Sequence, residues 1–360
     1  MRSMIFSLLL VVGVLIVGCA PPRAVPTLAP TSIPTPISTP LTTSRADGLS
    51  EQQAATLDSL KKVDDHPLYT MRYYGAYDQR LASGDGINLS VAVQHESPRS
   101  WACSLFAAFG DAGNMLYGRN FDWDFSPAVL LFTEPPDGYA SVSMVDVAYI
   151  GFAGSKSRNI ADLPLAERRD LLRAPLLPFD GMNARGLAIG MAAVPPGNVK
   201  PDPNKETIDS LGIIRKMLDY AANVDEAIAI MQRYNVDMGS GPPVHYLIAD
   251  ASGRAALVEY YQGKLMVIPN DKPWHQATNF LRSSVQDAAG QCRRYDTITQ
   301  QLAKAEGRTR LQDAMGLLRA VSQESTEWSI VYGMSTGEIN VAMGRRYDNT
   351  HTFQLKLVGK

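Results

Sequence analysis

A chain of 360 residues with 45% apolar and 19% charged side chains has material for a sizeable buried core. A net charge of −2 with no basic cluster argues against nucleic acid as a partner. Three cysteines cannot build a disulfide-rich scaffold; no His has a partner at metal-ligand spacing and no Gly-rich phosphate loop is present, so no metal or organic cofactor is expected.

Arg2 precedes an apolar run, Ile5 to Val17, that ends in Ile16-Val17-Gly18-Cys19. This run is shorter than the roughly 20 residues of a membrane-spanning helix and suits a signal-peptide core. Its ending resembles a bacterial lipobox, which implies that residues 1–18 are removed, that the Cys19 thiol is lipidated, and that the mature chain is exported and anchored to the membrane, facing away from the cytoplasm. The plain alternative is a secretory signal with a chance cysteine. Residues 19–45 carry prolines at 21, 22, 26, 30, 34, 36 and 40 among Thr, Ser and Ala. Such a composition favours an extended tether over a core.

Residues 46–102 read as structured. Ser50 to Val63 has a cap at Ser50, Gln53 three residues on and Ala54, Leu57 and Leu60 on one face, so a short helix is expected. Leu68 to Tyr77 is aromatic and strand-like, and Asn88 to Gln94 is a further alternating candidate. Ser104 to Phe109 and Met115 to Phe121, separated by Gly110-Asp111-Ala112-Gly113-Asn114, form a hairpin signal with both strands apolar enough to be buried. Strands are expected at Val129 to Phe132 and Ser141 to Val147, then a charged helix from Leu165 to Arg173 that stops before Pro175. Phe179 to Gly190 reads as strand, tight turn and strand, with Asn183 and Gly186 bracketing the turn because both tolerate positive φ. Helices are expected over Thr207 to Ala222 and Asp225 to Tyr234. A meander follows at His245 to Asp250, Ala255 to Tyr261 and Leu265 to Ile268. Helices at Arg293 to Lys304 and Arg310 to Ala320 and strands near Ser329 to Gly333, Glu338 to Ala342 and Thr352 to Leu357 close the chain. Helical blocks interleaved with antiparallel strand blocks imply an α+β fold of two packed sheets with helices outside.

The chemistry gathers on the hairpin. A cysteine at the start of a buried strand meets solvent while its backbone is held rigidly. It reacts as thiolate, so its pKa of about 8.5 must be lowered by a cation or served by a base. Arg119, across the hairpin, could be that cation. If the bond after Ala102 were cut, the freed α-amine of Cys103, with a pKa of roughly 7.7 to 8.0, would become a base on the nucleophile's own residue, and Asp122 could hold its ammonium form. The bland alternatives are a salt bridge between Arg119 and Asp122 or Asp124, Asp122 as a turn carboxylate, Trp123 as core or pocket wall, and a disulfide between Cys103 and Cys292.

At Cys103 and Gly118-Arg119-Asn120-Phe121-Asp122-Trp123 the sequence resembles the cysteine N-terminal-nucleophile hydrolases, a superfamily that includes penicillin V acylase, conjugated bile salt hydrolase, the acyltransferases of penicillin biosynthesis and the acid ceramidase group. Asp180-Gly181-Met182-Asn183 leading to Gly186-Leu187 is a second match, in the family's strand whose backbone lines the site. Thr278-Asn279 is a third. The resemblance implies a four-layer αββα sandwich, Asn279 as oxyanion donor, a second donor from the backbone near Ala192 or Ala193, and a supporting arginine at Arg293-Arg294-Tyr295. Arg294 is preferred there over Arg293. Bile salt hydrolases carry Asn where this chain has Ala192-Ala193, a departure that leaves a backbone role intact.

The expected function is hydrolysis of linear amides in small N-acyl compounds through an acyl-enzyme, matured by self-cleavage before Cys103, with residues 46–102 as a small subunit and 103–360 as the catalytic domain. The same site could pass its acyl group to an amine. Pocket loops such as Leu130 to Tyr139 and Gly197 to Glu206 are expected to distinguish penicillin V, bile conjugates, N-acyl homoserine lactones and N-acyl ethanolamines. Two other readings stand beside this one: an uncut hydrolase pairing Cys103 with His245, and a lipid-anchored binding protein of the same fold without turnover.

Overall fold

The computed structural model describes residues 48–77, 103–153, 159–239 and 241–358; the expected signal peptide, Cys19, the tether and the candidate strand at Asn88 to Gln94 lie outside them. Two sheets dominate. One runs, in spatial order, β1 (Lys61–Asp64), β2 (Leu68–Tyr73), β5 (Ala128–Thr133), β6 (Ser141–Asp146), β7 (Asp180–Asn183), β8 (Ala188–Ala193), β11 (Val244–Ala249), β12 (Ala255–Tyr261) and β13 (Lys264–Pro269). The other runs β14 (Trp274–Ala277), β3 (Ser104–Ala108), β4 (Leu116–Asp122), β15 (Thr326–Gly333), β16 (Glu338–Met343) and β17 (Thr350–Gln354). Every named pairing within these sheets is antiparallel except β2 with β5.

The strands of the interior are buried along their whole length, as in β3 to β8, β11 and β15. Continuous burial means that both faces of each sheet are covered. Between the sheets lie Leu105, Tyr117 and Phe121 from one side and Gly190 and Leu247 from the other. Against the first sheet pack α2 (Gly212–Tyr220), on β7 and β8, and α3 (Val224–Arg233), on β11 and β12. On the outside of the second sheet, α4 (Arg293–Lys304) and α5 (Leu311–Ala320) close a separate core with Phe106, Leu116, Leu318 and Val331. The layers are therefore helix, sheet, sheet, helix, as the family resemblance implied. Among the described residues no helix is long and apolar enough to cross a membrane.

Several local expectations are corrected. The helix opened by Ser50 has the anticipated reciprocal cap with Gln53 but ends at Asp58 as α1 (Glu51–Asp58), and the residues after it form β1 against β2. The first part of the helix expected over Thr207 to Ala222 is β9 (Glu206–Asp209), paired in parallel with β10 (Tyr234–Asp237). Asp209 then accepts from the backbone N–H groups of Leu211 and Gly212, at 2.9 and 2.7 Å, and starts α2 late. Leu165–Leu176 is a 3-10 helix that contains Pro175 and does not stop before it. The last strand lies two residues earlier than expected, at Thr350–Gln354.

At the turn joining β7 to β8, only Gly186 has positive φ, at 76°. Asn183 stays in β7 and works through its side chain: Oδ1 accepts from Arg185 and Leu187 N–H, and Nδ2 donates to the Leu218 and Ala221 carbonyls at the end of α2. A Cβ at Gly186 would sit 2.3 Å from the Met334 carbonyl oxygen. Gly186→Ala combines that overlap with an unfavourable φ and is expected to lower unfolding free energy by about 2–4 kcal/mol, read from denaturant titration; a loss below about 0.5 kcal/mol would mean that the turn relaxes freely.

Candidate active site

Cys103 immediately precedes β3 and is 5% exposed. The hairpin register pairs Leu105 with Arg119 and Ser104 with Asn120, so one further step sets Cys103 against Phe121, next to Asp122. The expected cysteine, arginine and carboxylate therefore meet at one end of the sheet. Burial pushes the Cys103 thiol up; the Arg119 charge and the Asp122 backbone N–H act in the opposite direction.

Arg119 is not paired with Asp122. Its Nη1 donates to the Phe179 carbonyl and to Asp180, a carboxylate fully buried on β7. Asp180 also accepts from Trp328 Nε1 at 3.2 Å and Tyr332 Oη at 2.5 Å. Gly190, across the ladder from Asp180, lets the facing sheet approach: a Cβ there would lie 2.7 Å from Leu105 and 2.8 Å from the Tyr117 hydroxyl. Burial works against the Arg119 charge, but Asp180 outweighs it and the group titrates above its ordinary value. Nε and Nη2 of Arg119 are buried without a hydrogen-bond partner among the described residues.

Asp122 is half satisfied. Thr326 Oγ1 donates to Oδ1, whereas Oδ2 is buried without a hydrogen-bond donor among the described residues and lies 4.0 Å from Arg294 Nη1. Burial pushes this carboxyl up to about 7, against the opposing pull of Thr326, Arg294 and Arg119.

Arg294 and Asn279 complete the cluster. Nη1 of Arg294 donates to the Cys103 carbonyl and, at 2.9 Å, to Ser104 Oγ; Nη2 donates to Asn279 Oδ1 at 2.9 Å. Arg293 is exposed on the other side of the helix start. Asn279 Nδ2 donates to the Ala193 carbonyl at 2.7 Å, which ties it to the end of β8. The bridge between Cys103 and Cys292 is absent, and both are free thiols. His245 is buried on β11 with Nδ1 2.9 Å from Glu259 Oε1, and it is not a wall of the cleft that Cys103 opens into.

That cleft holds about 650 Å³ of empty space, part of it open to solvent, between Trp123, Tyr149, Phe179, Met191, Leu211 and Met238, with Cys103 and Arg119 among its few polar members. The loops at Leu130 to Tyr139 and Gly197 to Glu206, expected to shape the pocket, are not among its walls; Ser210-Leu211 and the Met238 to Val244 stretch take that place. Asp180 and Thr326 were missed as members of the site. The signal for Asp180 was a carboxylate inside the apolar stretch Phe179 to Ile189, which must find a buried cation or several donors.

Residues 103–282, half of the chain, match the linear amide C–N hydrolases of the choloylglycine hydrolase family. The chain belongs to that family. Its fold is similar to that of a mutant conjugated bile acid hydrolase from Clostridium perfringens, at TM-score 0.51 and 15% identity over 70% of this chain and 92% of the other. A penicillin V acylase from Agrobacterium tumefaciens aligns at TM-score 0.48 and 14% identity over 70% and 86%. No curated protein matches the sequence. The N-terminal-nucleophile hydrolase sandwich is thus the fold of this chain.

Asp122 predicts a pH dependence of stability, best measured in Cys103→Ala, which has no thiol to titrate at that position. Folded, the carboxyl holds its proton up to about 7; unfolded, it releases it near 3.9. Its contribution is fully present below about pH 4 and is lost as pH rises towards 7. Asp146, pushed by burial to about 7, acts in the same direction. Adding Asp122→Asn is expected to make the decline across that window shallower in denaturant titrations, and an unchanged slope would contradict the raised value.

Proposed function

We propose that this member of the family hydrolyses linear amides of apolar N-acyl compounds with Cys103 as an N-terminal nucleophile, freed when the chain cuts itself after Ala102. The observation that carries this reading is the Asp122 oxygen, buried beside Cys103 without a donor among the described residues. A new α-ammonium on Cys103 would supply the hydrogen-bond donor that this oxygen lacks, Arg294 being 4.0 Å away. In the reaction the α-amine takes the thiol proton as sulfur attacks the amide carbon. Asn279 Nδ2 and a backbone N–H near Ala192 or Ala193 face the oxyanion. The amine then passes the proton to the leaving nitrogen, the C–N bond breaks and a thioester remains. Water, deprotonated by the same amine, releases the acid and restores the thiol. Arg119 and Arg294 favour the thiolate by charge. The apolar cleft wall supports an apolar acyl group.

Segment 46–102 is proposed to stay docked after cleavage, because β1 and β2 are strands of the large sheet and β2 is hydrogen-bonded to β5 along its length. The mature chain is proposed to be held at the outer face of a membrane through lipidated Cys19. Metabolic labelling with a radioactive fatty acid should mark the wild type and not Cys19→Ser; equal labelling would contradict the anchor.

Intact mass and N-terminal sequencing of mature protein should give a fragment that begins at Cys103. Purified enzyme should turn over at least one of penicillin V, a glycine-conjugated bile acid, an N-acyl homoserine lactone and an N-acyl ethanolamine, with Cys103→Ala inert. An uncut chain that is active, and that loses activity in His245→Asn, would favour the cysteine–histidine reading instead.

A further inference from the structure

The buried pair Glu259 and His245 takes no part in the steps above. Both side chains are sealed from solvent, at 0% and 1% exposure. A buried carboxylate without donors would be costly, and here three donors converge on it. His245 Nδ1 and the Arg282 backbone N–H approach Oε1 at 2.9 and 2.8 Å, and the Ser283 backbone N–H approaches Oε2 at 2.7 Å. Burial opposes the charge, but these donors outweigh it and hold the carboxyl below its ordinary value.

Two of the three donors are consecutive amides of the 3-10 turn Arg282–Ser284. This turn follows directly from the stretch that leaves β14 and carries Asn279. His245 sits opposite Ala192 in the ladder between β11 and β8, next to Ala193, whose carbonyl receives Asn279 Nδ2. One charge therefore ties β11 and β12 to the far end of the Asn279 loop.

The geometry points to Glu259, supported by His245, as a positioning residue that fixes the backbone of the 278–283 loop and through it the Asn279 amide at the oxyanion. This rests on the reading that Asn279 is an oxyanion donor. It gives the His245–Glu259 pair a role in the reaction without contact with the reacting atoms.

Arg282 offers a local test. Leu281 before it is extended, at φ −72° and ψ 112°, and proline is accommodated at the first position of a helical turn after an extended residue. Arg282→Pro thus deletes one N–H to Glu259, and Arg282→Ala controls for the side chain. With N-decanoyl-4-nitroanilide as probe, Asn279→Ala is expected to lower kcat by about 10² to 10³-fold. Arg282→Pro should lower kcat about tenfold with KM within about threefold, Arg282→Ala should stay within about twofold, and the Asn279→Ala/Arg282→Pro double variant should be no slower than Asn279→Ala alone. Glu259→Gln places a donor against these amides and should lose about as much as Arg282→Pro, which carries the test if the former fails to fold.

Equal kcat in Arg282→Pro and Arg282→Ala, or losses that multiply in the double variant, would overturn the positioning role while leaving the amidase reading intact. No turnover of the probe by the native enzyme, or an undiminished kcat in Asn279→Ala, would remove that reading and this inference with it.

Discussion

The ion pair between Arg119 and Asp180 is the constraint on which both the sandwich and the site depend. Arg119 belongs to one sheet and Asp180 to the other, and neither side chain has any exposure. Charges taken so far from water are tolerated only when paired and further hydrogen-bonded. Trp328, Tyr332 and the Phe179 carbonyl supply those bonds. Loss of either partner would leave an uncompensated charge, typically worth 3–5 kcal/mol for such pairs. The same guanidinium bears on the Cys103 sulfur, so the contact that aligns the two sheets also sets the field at that thiol.

Two buried carboxyls near the same arginine, Asp122 on its own strand and Asp180 on the facing sheet, are satisfied to different degrees. Asp180 receives three side-chain donors, one of them cationic. Asp122 has one hydroxyl on one oxygen, and the other has no hydrogen-bond donor among the described residues, only Arg294 at 4.0 Å. For Asp122 burial outweighs the pull of Thr326 and the nearby arginines, and its carboxyl is raised to about 7. An incompletely satisfied buried group is expensive to keep, and such groups concentrate where a ligand or a reacting group completes them. The Asn279 loop shows the complementary strategy, in which every acceptor of Glu259 is used and the backbone is fixed.

Much of this was legible in the residues. Alternation on both sides of Gly110 to Asn114 specified the hairpin, and the spacing of Cys103, Arg119 and Asp122 then followed from cross-strand geometry. What escaped were features fixed by partners far away in sequence. Lys61–Asp64 and Glu206–Asp209 are short, polar and partly exposed, and only β2 and β10 make them strands. Pro175 does not end its helix because a 3-10 turn needs fewer i→i−4 bonds than the sequence rule assumes. Asp180 was visible as a match within a hairpin, but its pairing with Arg119 requires knowing that β7 faces β4 across the interior. The cleft walls at Leu211 and Met238 to Val244 come together through topology, with no local signal.

The same burial that stabilises the cluster constrains the chemistry. A thiol pushed up by desolvation rests as a neutral group, so catalysis needs a proton acceptor within reach of sulfur. Asp122 is a poor candidate below about 7 because its own proton is retained there. His245 is committed through Nδ1 to Glu259 and lines another part of the interior. Arg119 and Arg294 are cations that can stabilise a thiolate and cannot create one. In the proposed mature chain an amine with a pKa of roughly 7.7 to 8.0, placed on residue 103 itself, would meet the requirement of distance by covalent connection and, once protonated, would donate to the Asp122 oxygen that has no donor among the described residues. The proposed cut before Cys103 would thus solve the proton-transfer problem and the desolvation problem in one step.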